Sequence, residues 1–366
     1  MRDKNAHQLL ATVMNWRDNE AVLDHVPALQ LLAEYKYDQY QRFGPGKRFM
    51  ESLALWLAQF DSADRDAALG FVKDNLVCLS ESELSHLVRS AYPDMIVQER
   101  LRMVAEEHDI PLHRVARLAA HRRFHELRLK SLYLGLSDGA RTNEIRRASD
   151  GDIGNEQIWQ AYELGPDKSD EMREQLSDAL RNQSFPAAQA TFNLVWLLDD
   201  FSGSGNTYIR FDAASGKYKG KIKKIYDQLH KFSLVDRSHY EVFLLLYVAT
   251  RQAIDHIEYW AERFTTDGGY KPLHVRILYP LEPDVAIDRH GSLRQILASN
   301  EYRDSKVVDK HFLVGGTDDE RLGFAACSLP VVLPHNTPNN SLFVLWGPET
   351  SAFPGLFPRV SRHREF

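Results

Sequence analysis

The sequence has little cysteine, no long apolar run and no excess of positive charge. Cys78 and Cys327 are its two cysteines, and their wide separation gives neither a disulfide framework nor metal-ligand spacing. The N-terminal segment lacks the apolar core of a signal peptide, and the most apolar segments, 192–198 and 241–249, are too short to cross a membrane. These absences predict a cytoplasmic protein with buried, reduced thiols and no membrane partner.

Length and composition are typical of soluble globular proteins. The chain has 366 residues, of which 43% are apolar and 26% charged, and its formal net charge is -6. This length exceeds what one compact core usually holds, so we expect two domains. The negative charge gives no overall attraction to nucleic acid, so such a partner would need a local basic patch.

The first third of the chain has the periodicity of helices. In the segment 48–60, apolar residues recur at three- and four-residue spacings, and Ser80 with Glu83 forms a capping-box pattern. We see no convincing strand pattern before about residue 130. The pattern predicts an all-helical or winged-helix-like domain over residues 1–128.

The remainder alternates between short apolar segments and helical patterns. The strand candidates are 192–198, 241–248, 273–279 and 341–346, with a further one at 328–333. Helices are predicted at 169–182, 218–232 and 252–264. Apolar strands separated by helices indicate an α/β domain with a mostly parallel sheet buried on both faces. We assign residues 129–366 to this domain.

The segment LVWLLDDFSGSGNTY (194–208) carries the strongest chemical signal. A buried strand ends in Asp199 and Asp200, and a bare polar loop follows. Ligands of open parallel sheets bind beyond the carboxyl ends of the strands, and successive loop amides attract phosphate. The segment therefore predicts a sugar-phosphate site, with ribose hydroxyls or a hydrated metal ion at the carboxylates. The loop residues assigned to this ligand are Ser202, Gly203, Ser204, Gly205, Asn206 and Thr207.

Other interpretations of this segment are weaker. A nucleotide-hydrolysing P-loop needs a lysine where Asn206 stands, and the dinucleotide fingerprint G-x-G-x-x-G is absent. A plain strand-to-loop turn remains the structural alternative, because Asp, Gly and Ser are common in turns.

From Asp199 to Thr207 the segment resembles the phosphoribosyl-diphosphate-binding motif of type I phosphoribosyltransferases. The resemblance implies that Asp199 and Asp200 are catalytic and bind the ribose hydroxyls. It also implies that residues 204–207 hold the 5′-phosphate. Mg²⁺ would be bound by the pyrophosphate and sugar hydroxyls beside the two carboxylates, directly or through water.

A second resemblance covers more of the chain. The segments 135–147, 333–346 and 356–363 are similar to the phosphoribosyltransferase-like effector domains of bacterial conflict systems, the PRTase-CE class. This class occurs beside retrons and other anti-phage modules. We therefore carry a defence-system protein, and also a second copy of the chain in a homo-oligomer, as partner hypotheses.

The chain departs from the type I pattern in two places. Purine-salvage enzymes have an acidic residue at the fifth motif position, where it assists proton transfer at the base, and this chain has Gly203. In addition, YIRFDAASGKYKGK (208–221) separates the loop from the next helical pattern. The phosphate-facing helix is therefore expected to be displaced, or to be replaced by a short turn.

Two further polar segments are candidates for substrate contacts. Ser137, Asp138, Gly139 and Arg141 precede an arginine-rich helical pattern and are assigned to a second loop that binds pyrophosphate; a capped helix start is the alternative. His335, Asn336 and Asn339 carry groups that can read the edge of a base and are assigned to the acceptor pocket. A polar connection between strands is the favoured alternative.

The basic segment 113–130 is the candidate for nucleic-acid contact. A solvated helix face or an ion-paired surface is the alternative. His121 and His125 have metal-ligand spacing, but no third ligand is apparent.

Three functions remain open at this stage. The first is a pentosyltransferase of the phosphoribosyltransferase type, which acts at the anomeric carbon of phosphoribosyl diphosphate or a nucleotide. The second is a non-catalytic sensor that binds the same ligand and signals to a partner. The third is a DNA-binding regulator that uses the basic segment.

Overall fold

A computed structural model describes residues 3–17, 19–41, 43, 46–187, 190–287 and 291–359. The chain forms two compact units: Met1–Leu84 with Glu282–Phe366, and Ser85–Leu281. This division differs from the predicted domains 1–128 and 129–366. The C-terminal part of the chain belongs to the same unit as the N-terminal helices.

Helices dominate the first part of the described chain, and strands alternate with helices afterwards. Up to residue 129 the elements are α1 Asp3–Val13, α2 Asn19–Tyr35, α3 Phe49–Leu57, α4 Arg65–Asp74, β1 Val77–Cys78, α5 Glu81–Ala91, α6 Gln98–Glu107, α7 Val115–Ala119 and α8 Arg122–Leu129. Those that follow are β2 Ser131–Gly135, α9 Thr142–Ala148, β3 Ile158–Gln160, α10 Pro166–Asn182, β4 Leu194–Ser202, β5 Arg210–Asp212 and β6 Lys217–Lys219. The last are α11 Lys221–Lys231, β7 Glu241–Thr250, α12 Arg251–Thr266, β8 Leu273–Leu281, α13 Gly291–Leu297, β9 Val331–Val332 and α14 Phe343–Trp346.

The second unit is built on a five-stranded parallel sheet with the order β3-β2-β4-β7-β8. Strand β4 lies at the centre, where Leu197 is in register with Leu134 on one side and Leu244 on the other. The α/β fold class predicted from the sequence is confirmed. Two-sided burial explains why β4 is apolar from Leu194 to Leu198 and β7 from Val242 to Ala249.

Successive residues of β4 point to opposite faces of the sheet. Val195 and Leu197 belong to the core that the sheet forms with residues of α10, α11 and α12. Trp196 stacks on Phe243, with ring centroids 4.4 Å apart, and does not belong to that core. The same alternation continues into Asp199 and Asp200, so their side chains lead to different sides of the sheet.

The first unit joins the N-terminal helices to the C-terminal segment. The indole of Trp56 donates to the carbonyl of Val344 at 2.7 Å, and the hydroxyl of Tyr40 donates to the carbonyl of Pro358 at 2.9 Å. Phe49 stacks on Phe357 within one buried core. Local periodicity identifies each helix but cannot reveal a partner about 300 residues away, which is why the predicted boundary differs.

One predicted strand is wrong, and five short strands were missed. The apolar run 341–346 contains the short helix α14, because a run of this length fits a buried helix as well as a strand. Of the segment 328–333, only β9 is a strand, and it pairs with β1. The short strands β1, β2, β3, β5 and β6 were not predicted, although β2 is wholly buried beside β4.

The helices and the capping box are confirmed. Helices α10, α11 and α12 correspond to the three patterns expected between the strands. The backbone amide of Ser80 donates to Glu83 Oε2 at 2.8 Å, and the amide of Glu83 donates to Ser80 Oγ at 3.2 Å. Within the described ranges, none of the helices combines the length and apolar character needed to cross a bilayer.

Shortening the core of the central strand should destabilise the second unit. Leu197 is fully buried, and Leu197→Ala is expected to lower the free energy of unfolding by about 2–5 kcal/mol because it leaves a cavity. Leu112, which is 50% exposed, provides the control, and Leu112→Ala should cost less than about 0.5 kcal/mol. Urea unfolding followed by circular dichroism measures both; equal losses would contradict the assignment of β4 to the core.

Candidate functional site

The strand order creates a crevice at the carboxyl ends of β2 and β4. From β2 the chain runs outward to β3 on one side, and from β4 it runs to β7 on the other. Such a reversal is the place where open α/β sheets bind ligands. The segments that follow these two strands contain Ser137 to Arg141 and Gly203 to Thr207, which are the two loops predicted to bind substrate.

Asp199 is the most heavily bonded side chain of the site. Its Oδ1 accepts from the hydroxyl of Ser137 and, at 3.2 Å, from the backbone amide of Asp200. Its Oδ2 accepts from the hydroxyl of Tyr208 at 2.8 Å and pairs with Lys221 Nζ at 3.0 Å. The carboxylate therefore ties both loops to the start of α11.

Burial sets the electrostatics of this cluster. It raises the pKa of Asp199 above its ordinary value, the charge of Asp200 acts in the same direction, and Lys221 opposes both. Burial and the adjacent Asp199 also raise the pKa of Tyr208, so this phenol stays protonated and donates to the carboxylate. Asp199 is 2% exposed. Its contacts with Ser137, Tyr208 and Lys221 indicate that it orients these side chains.

Asp200 is directed at the loop that follows β2. A Cβ placed on Gly139 would lie 2.4 Å from Asp200 Oδ2, so only glycine allows this approach. The same loop is fixed by Tyr247, whose hydroxyl donates to the carbonyl of Ala140 at 2.8 Å. The structure thus brings the first predicted substrate loop against the second carboxylate.

The loop after β4 is held by α12. The carbonyl of Gly203 accepts from the hydroxyl of Thr250 at 2.7 Å. Gly205 has φ +77°, and a Cβ there would lie 2.9 Å from the carbonyl oxygen of Ala253. Ser202, Gly203, Ser204 and Gly205 are buried, Asn206 is half-buried and Thr207 is exposed. The loop is therefore rigidly backed on one side and open at its end.

The loop amides are the unsatisfied part of the site. Among the residues that the structure describes, none accepts a hydrogen bond from the backbone amides of residues 204–207. Buried backbone donors almost always have partners, so a run of amides like this one is suited to an external acceptor. Successive amides around a positive-φ glycine form an anion-binding concavity.

The insertion between the loop and the helix is a β-hairpin made of β5 and β6. Helix α11 nevertheless begins beside the loop, because the amides of Lys221 and Ile222 donate to the carbonyls of Thr207 and Tyr208, both at 3.0 Å. The expected displacement of this helix is therefore small. Its first amides bond to the chain itself, so among the predicted phosphate donors the loop amides are the ones left to bind an external acceptor.

Sequence reasoning missed Tyr208 and Lys221. A signal for Lys221 was present: a lysine at the first position of a helix is unfavourable beside the positive end of the helix dipole, so it needs an acidic partner. That partner is Asp199. Tyr208 directly follows the motif, but nothing in a single sequence shows that its hydroxyl turns back toward the strand end.

The other residues of the first loop hold it together. Ser137 Oγ accepts from the amide of Gly139 at 3.2 Å. Asp138 accepts from the hydroxyl of Tyr162 at 2.8 Å. Arg141 has φ +50° and pairs with Glu144 at 3.4 Å. Their role in binding pyrophosphate stays a prediction.

The predicted base pocket lies in the first unit. Asn336 accepts from the amide of Thr337 at 3.1 Å, and the carbonyl of Asn339 accepts from the amide of Phe324 at 2.6 Å. These are bonds of a polar connection, the alternative considered for this segment, and His335 lies in the same connection. The role of His335, Asn336 and Asn339 at a base stays a prediction; residues 360–363 of the C-terminal motif lie outside the described residues.

Three of the six Lys and Arg residues in the basic segment 113–130 pair with acids of the same unit. Arg123 pairs with Glu107 at 2.7 Å, Arg128 with Asp152 at 2.8 Å and Lys130 with Glu126 at 3.1 Å. Arg114, Arg117 and Arg122 are exposed, and nucleic-acid contact through this segment stays a prediction. No group of three or more His, Cys, Asp or Glu side chains placed for a metal ion occurs in the part of the chain that the structure describes.

A parallel sheet with an acidic strand end, an amide-lined loop and a second loop at its switch point is the architecture of a phosphoribosyltransferase-like domain. The sequence model of the PRTase-CE family matches residues 53–359. The chain belongs to the PRTase-CE family. Comparisons with curated proteins and with solved structures gave no match.

The histidine behind the loop should make stability depend on pH. His256 Nε2 donates to the carbonyl of Ile209 at 2.9 Å, and its ring lies against Gly205. Burial lowers the pKa of His256, so below its ordinary value of about 6.5 the unfolded state binds more protons than the folded state. His256 therefore makes its full contribution to the free energy of unfolding above that pH. The contribution is lost as the pH falls toward the pKa of His256 in the folded state.

Thermal unfolding between about pH 5 and pH 8 measures this effect. We expect the unfolding midpoint to fall more steeply with acid in the wild type than in His256→Gln, whose amide can still donate to Ile209. Some slope should remain, because burial also lowers the pKa of His230 and of His274. Equal slopes in the two proteins would show that His256 does not titrate as described.

Proposed function

We propose that this chain binds the ribose 5-phosphate part of phosphoribosyl diphosphate, or of a nucleotide, and acts at the anomeric carbon. One observation carries the proposal: the acceptor-free amides of residues 204–207 directly follow two buried carboxylates at the switch point of the sheet. Family membership supports the same ligand class.

The two ends of the ligand match the two ends of the loop. The 5′-phosphate accepts from the amides of residues 204–207, with the exposed hydroxyl of Thr207 as a further donor. The ribose hydroxyls face Asp200, whose carboxylate lies between the strand end and Gly139. The loop amides would thus hold the ligand at its 5′-phosphate, and the carboxylate of Asp200 would hold it at the ribose hydroxyls.

Asp199 has a different part in this proposal from the one implied by the resemblance. Both of its oxygens already accept hydrogen bonds, and its side chain is the more buried of the pair. We assign it as a positioning residue that orients Ser137, Tyr208 and Lys221. Lys221 is partly exposed, and its ammonium group contributes positive charge beside the loop.

The residues fit Mg²⁺ only as an ion held mainly by the substrate. Mg²⁺ usually takes one or two protein carboxylates and completes its shell with phosphate oxygens and water. Asp200 would supply the protein carboxylate, because the oxygens of Asp199 are already engaged. When bound, the ion would neutralise charge on the pyrophosphate.

Chemistry at the anomeric carbon then follows from the charges of the chain. Departure of pyrophosphate leaves positive charge on the ribose ring, which the carboxylate of Asp200 stabilises electrostatically. Arg141, on the loop after β2, is the cation assigned to the departing anion. The reaction runs as transfer to a base or, in reverse, as removal of a base from a nucleotide, with pyrophosphate taking the place of the base at the anomeric carbon.

A role in anti-phage defence is part of the proposal. It is supported by the similarity to effector domains of conflict systems, which occur beside retrons. An enzyme of this type would deplete or modify a nucleotide pool, and a defence-system protein would be its partner.

A second candidate is a sensor that binds the same ligand without chemistry. Two observations favour it: Asp199 is neutralised by Lys221, and Gly203 leaves the usual acid-base position without a side chain. Ligand binding would then change a contact with a partner while the ligand stays intact.

Pyrophosphate release separates the two candidates. The protein is incubated with phosphoribosyl diphosphate, Mg²⁺ and a panel of nucleobases, beside the Asp199→Asn and Asp200→Asn variants. An enzyme should give base-dependent release that Asp200→Asn reduces by about a hundredfold or more, as loss of an electrostatic group at the reacting centre does. Asp199→Asn should also reduce pyrophosphate release, because Lys221 and Tyr208 lose the carboxylate that holds them in place.

If no pyrophosphate is released, calorimetry on the same proteins measures whether phosphoribosyl diphosphate binds. Binding without release supports the sensor. If neither occurs, base release from nucleotides is tested next, and no activity or binding there would contradict the ligand class itself.

The glycine beside Asp200 provides an independent test of the site. Gly139→Ala should weaken binding of phosphoribosyl diphosphate by about 5- to 150-fold, because overpacking of about 1–3 kcal/mol displaces the carboxylate. Gly70→Ala on α4 is the matched control, since a Cβ there meets nothing within 4 Å. Unchanged affinity in Gly139→Ala would place the ligand away from Asp200.

A further inference from the structure

The inserted hairpin forms a cavity that the proposed function does not use. Residues of β5, β6, α11 and α12 line an open cavity of about 650 Å³. This volume lies within the range of about 300–1,000 Å³ that small-molecule sites occupy. The side chains that line it include Phe211, Lys217, Tyr218, Lys223, Trp260 and Arg263.

Aromatic rings form the walls of this cavity. Phe211 and Trp260 are nearly parallel, with an interplanar angle of 17° and centroids 6.1 Å apart. Tyr218 meets Phe211 edge-on at 5.3 Å. Phe211 is 39% exposed on a two-stranded hairpin, so its ring offers an aromatic face to solvent as well as to Trp260.

Positive charge surrounds these rings. Lys217 is exposed, and Arg263 lies over the ring of Tyr259 at 4.7 Å with its nearest acid, Asp267, at 3.9 Å. Exposed pairs of this kind are weak, so Arg263 can exchange Asp267 for another anion. In a chain of net charge -6, the segment 210–231 contains seven Lys and Arg residues and two Asp residues.

We propose that this cavity binds a nucleotide unit of a single-stranded nucleic acid, with its base on the Phe211 and Trp260 rings and its phosphate at Lys217 and Arg263. Stacking platforms combined with positive charge are how proteins hold single strands without reading their sequence. The basic residues continue along α11 beyond the cavity, which fits a strand better than a free nucleotide. The same chemistry would accept a free nucleotide, and the experiment distinguishes the two sources.

The probe is a fluorescent oligothymidylate of about ten nucleotides, a length within the span of known single-strand sites. Its binding to the full chain is followed by fluorescence anisotropy. Phe211→Ala should weaken binding by about 5- to 150-fold through lost base stacking. Arg263→Ala should reduce the magnitude of the salt slope, log Kd against log salt, by about 0.7 for one lost phosphate contact.

Matched controls separate this cavity from the sugar-phosphate site. Tyr279 is 50% exposed on β8 and Arg181 is exposed on α10, so Tyr279→Ala and Arg181→Ala should leave affinity and salt slope unchanged. Asp200→Asn should also bind the oligonucleotide normally, so failure of the proposed function and failure of this inference are distinguishable. Circular dichroism and thermal unfolding confirm that each variant is folded.

Competition with thymidine monophosphate identifies the source of the ligand. Tight oligonucleotide binding that the mononucleotide displaces only at far higher concentration supports the single strand. If the mononucleotide displaces the probe at the same concentration as the unlabelled oligonucleotide does, the ligand is a free nucleotide, and the assignment of a single strand is overturned. No binding, or binding that survives both Phe211→Ala and Arg263→Ala, would overturn the site.

Discussion

The buried carboxylate of Asp199 is the constraint on which the candidate site depends. A charge taken out of water is costly unless donors surround it, and this one has Ser137, Tyr208 and Lys221, which come from three separate segments. Each donor is thereby fixed: Ser137 brings the loop after β2 to the strand end, Tyr208 closes the loop after β4, and Lys221 sets the first turn of α11. Because neighbouring strand residues point to opposite faces, fixing Asp199 also directs Asp200 toward Gly139. Two identical residues in sequence thus acquire different environments, one internal to the scaffold and one at the crevice.

The hairpin shows how a family motif can be extended without losing its geometry. Insertion of a loop costs little in closure entropy when its ends meet, and here the ends meet because α11 bonds to the carbonyls of Thr207 and Tyr208. The insertion then supplies what the shorter arrangement would lack: Lys221 as the partner of Asp199, and the exposed ring of Phe211 beside Trp260. The inserted segment 208–221 departs from the type I pattern and made the position of the helix uncertain in the sequence. The same segment supplies aromatic rings and basic residues to the hairpin cavity.

Local patterns were sufficient for three of the five strands of the sheet and for the loop, but not for the contacts between distant segments. The strands β4, β7 and β8 and the helices between them follow from apolar runs and helical periodicity, and the position of the loop follows from the rule that ligands bind at strand ends. Strand β2 was missed because five residues after a basic helix carry little signal of their own. The 341–346 run was misread because burial on all sides removes the periodicity that distinguishes helix from strand. Tyr208 and Lys221 belong to the site only through folding, and the placement of residues 282–366 with the N-terminal helices depends on pairings such as Trp56 with Val344.

Helix α11 connects the two binding proposals physically. Its first residue, Lys221, is held by Asp199 beside the loop 204–207. Lys223, on the same first turn of the helix, lines the hairpin cavity. An anion bound at residues 204–207 would compete with Asp199 for the ammonium group of Lys221, so occupancy of the loop would alter the forces on the start of this helix. The hairpin cavity is built on the same helix. If a ligand at the loop shifts α11, thermodynamic linkage requires that a ligand in the cavity change affinity at the loop by the same factor. An enzyme would gain a way to restrict turnover to the presence of a nucleic acid, and a sensor would gain a way to report both ligands through one element.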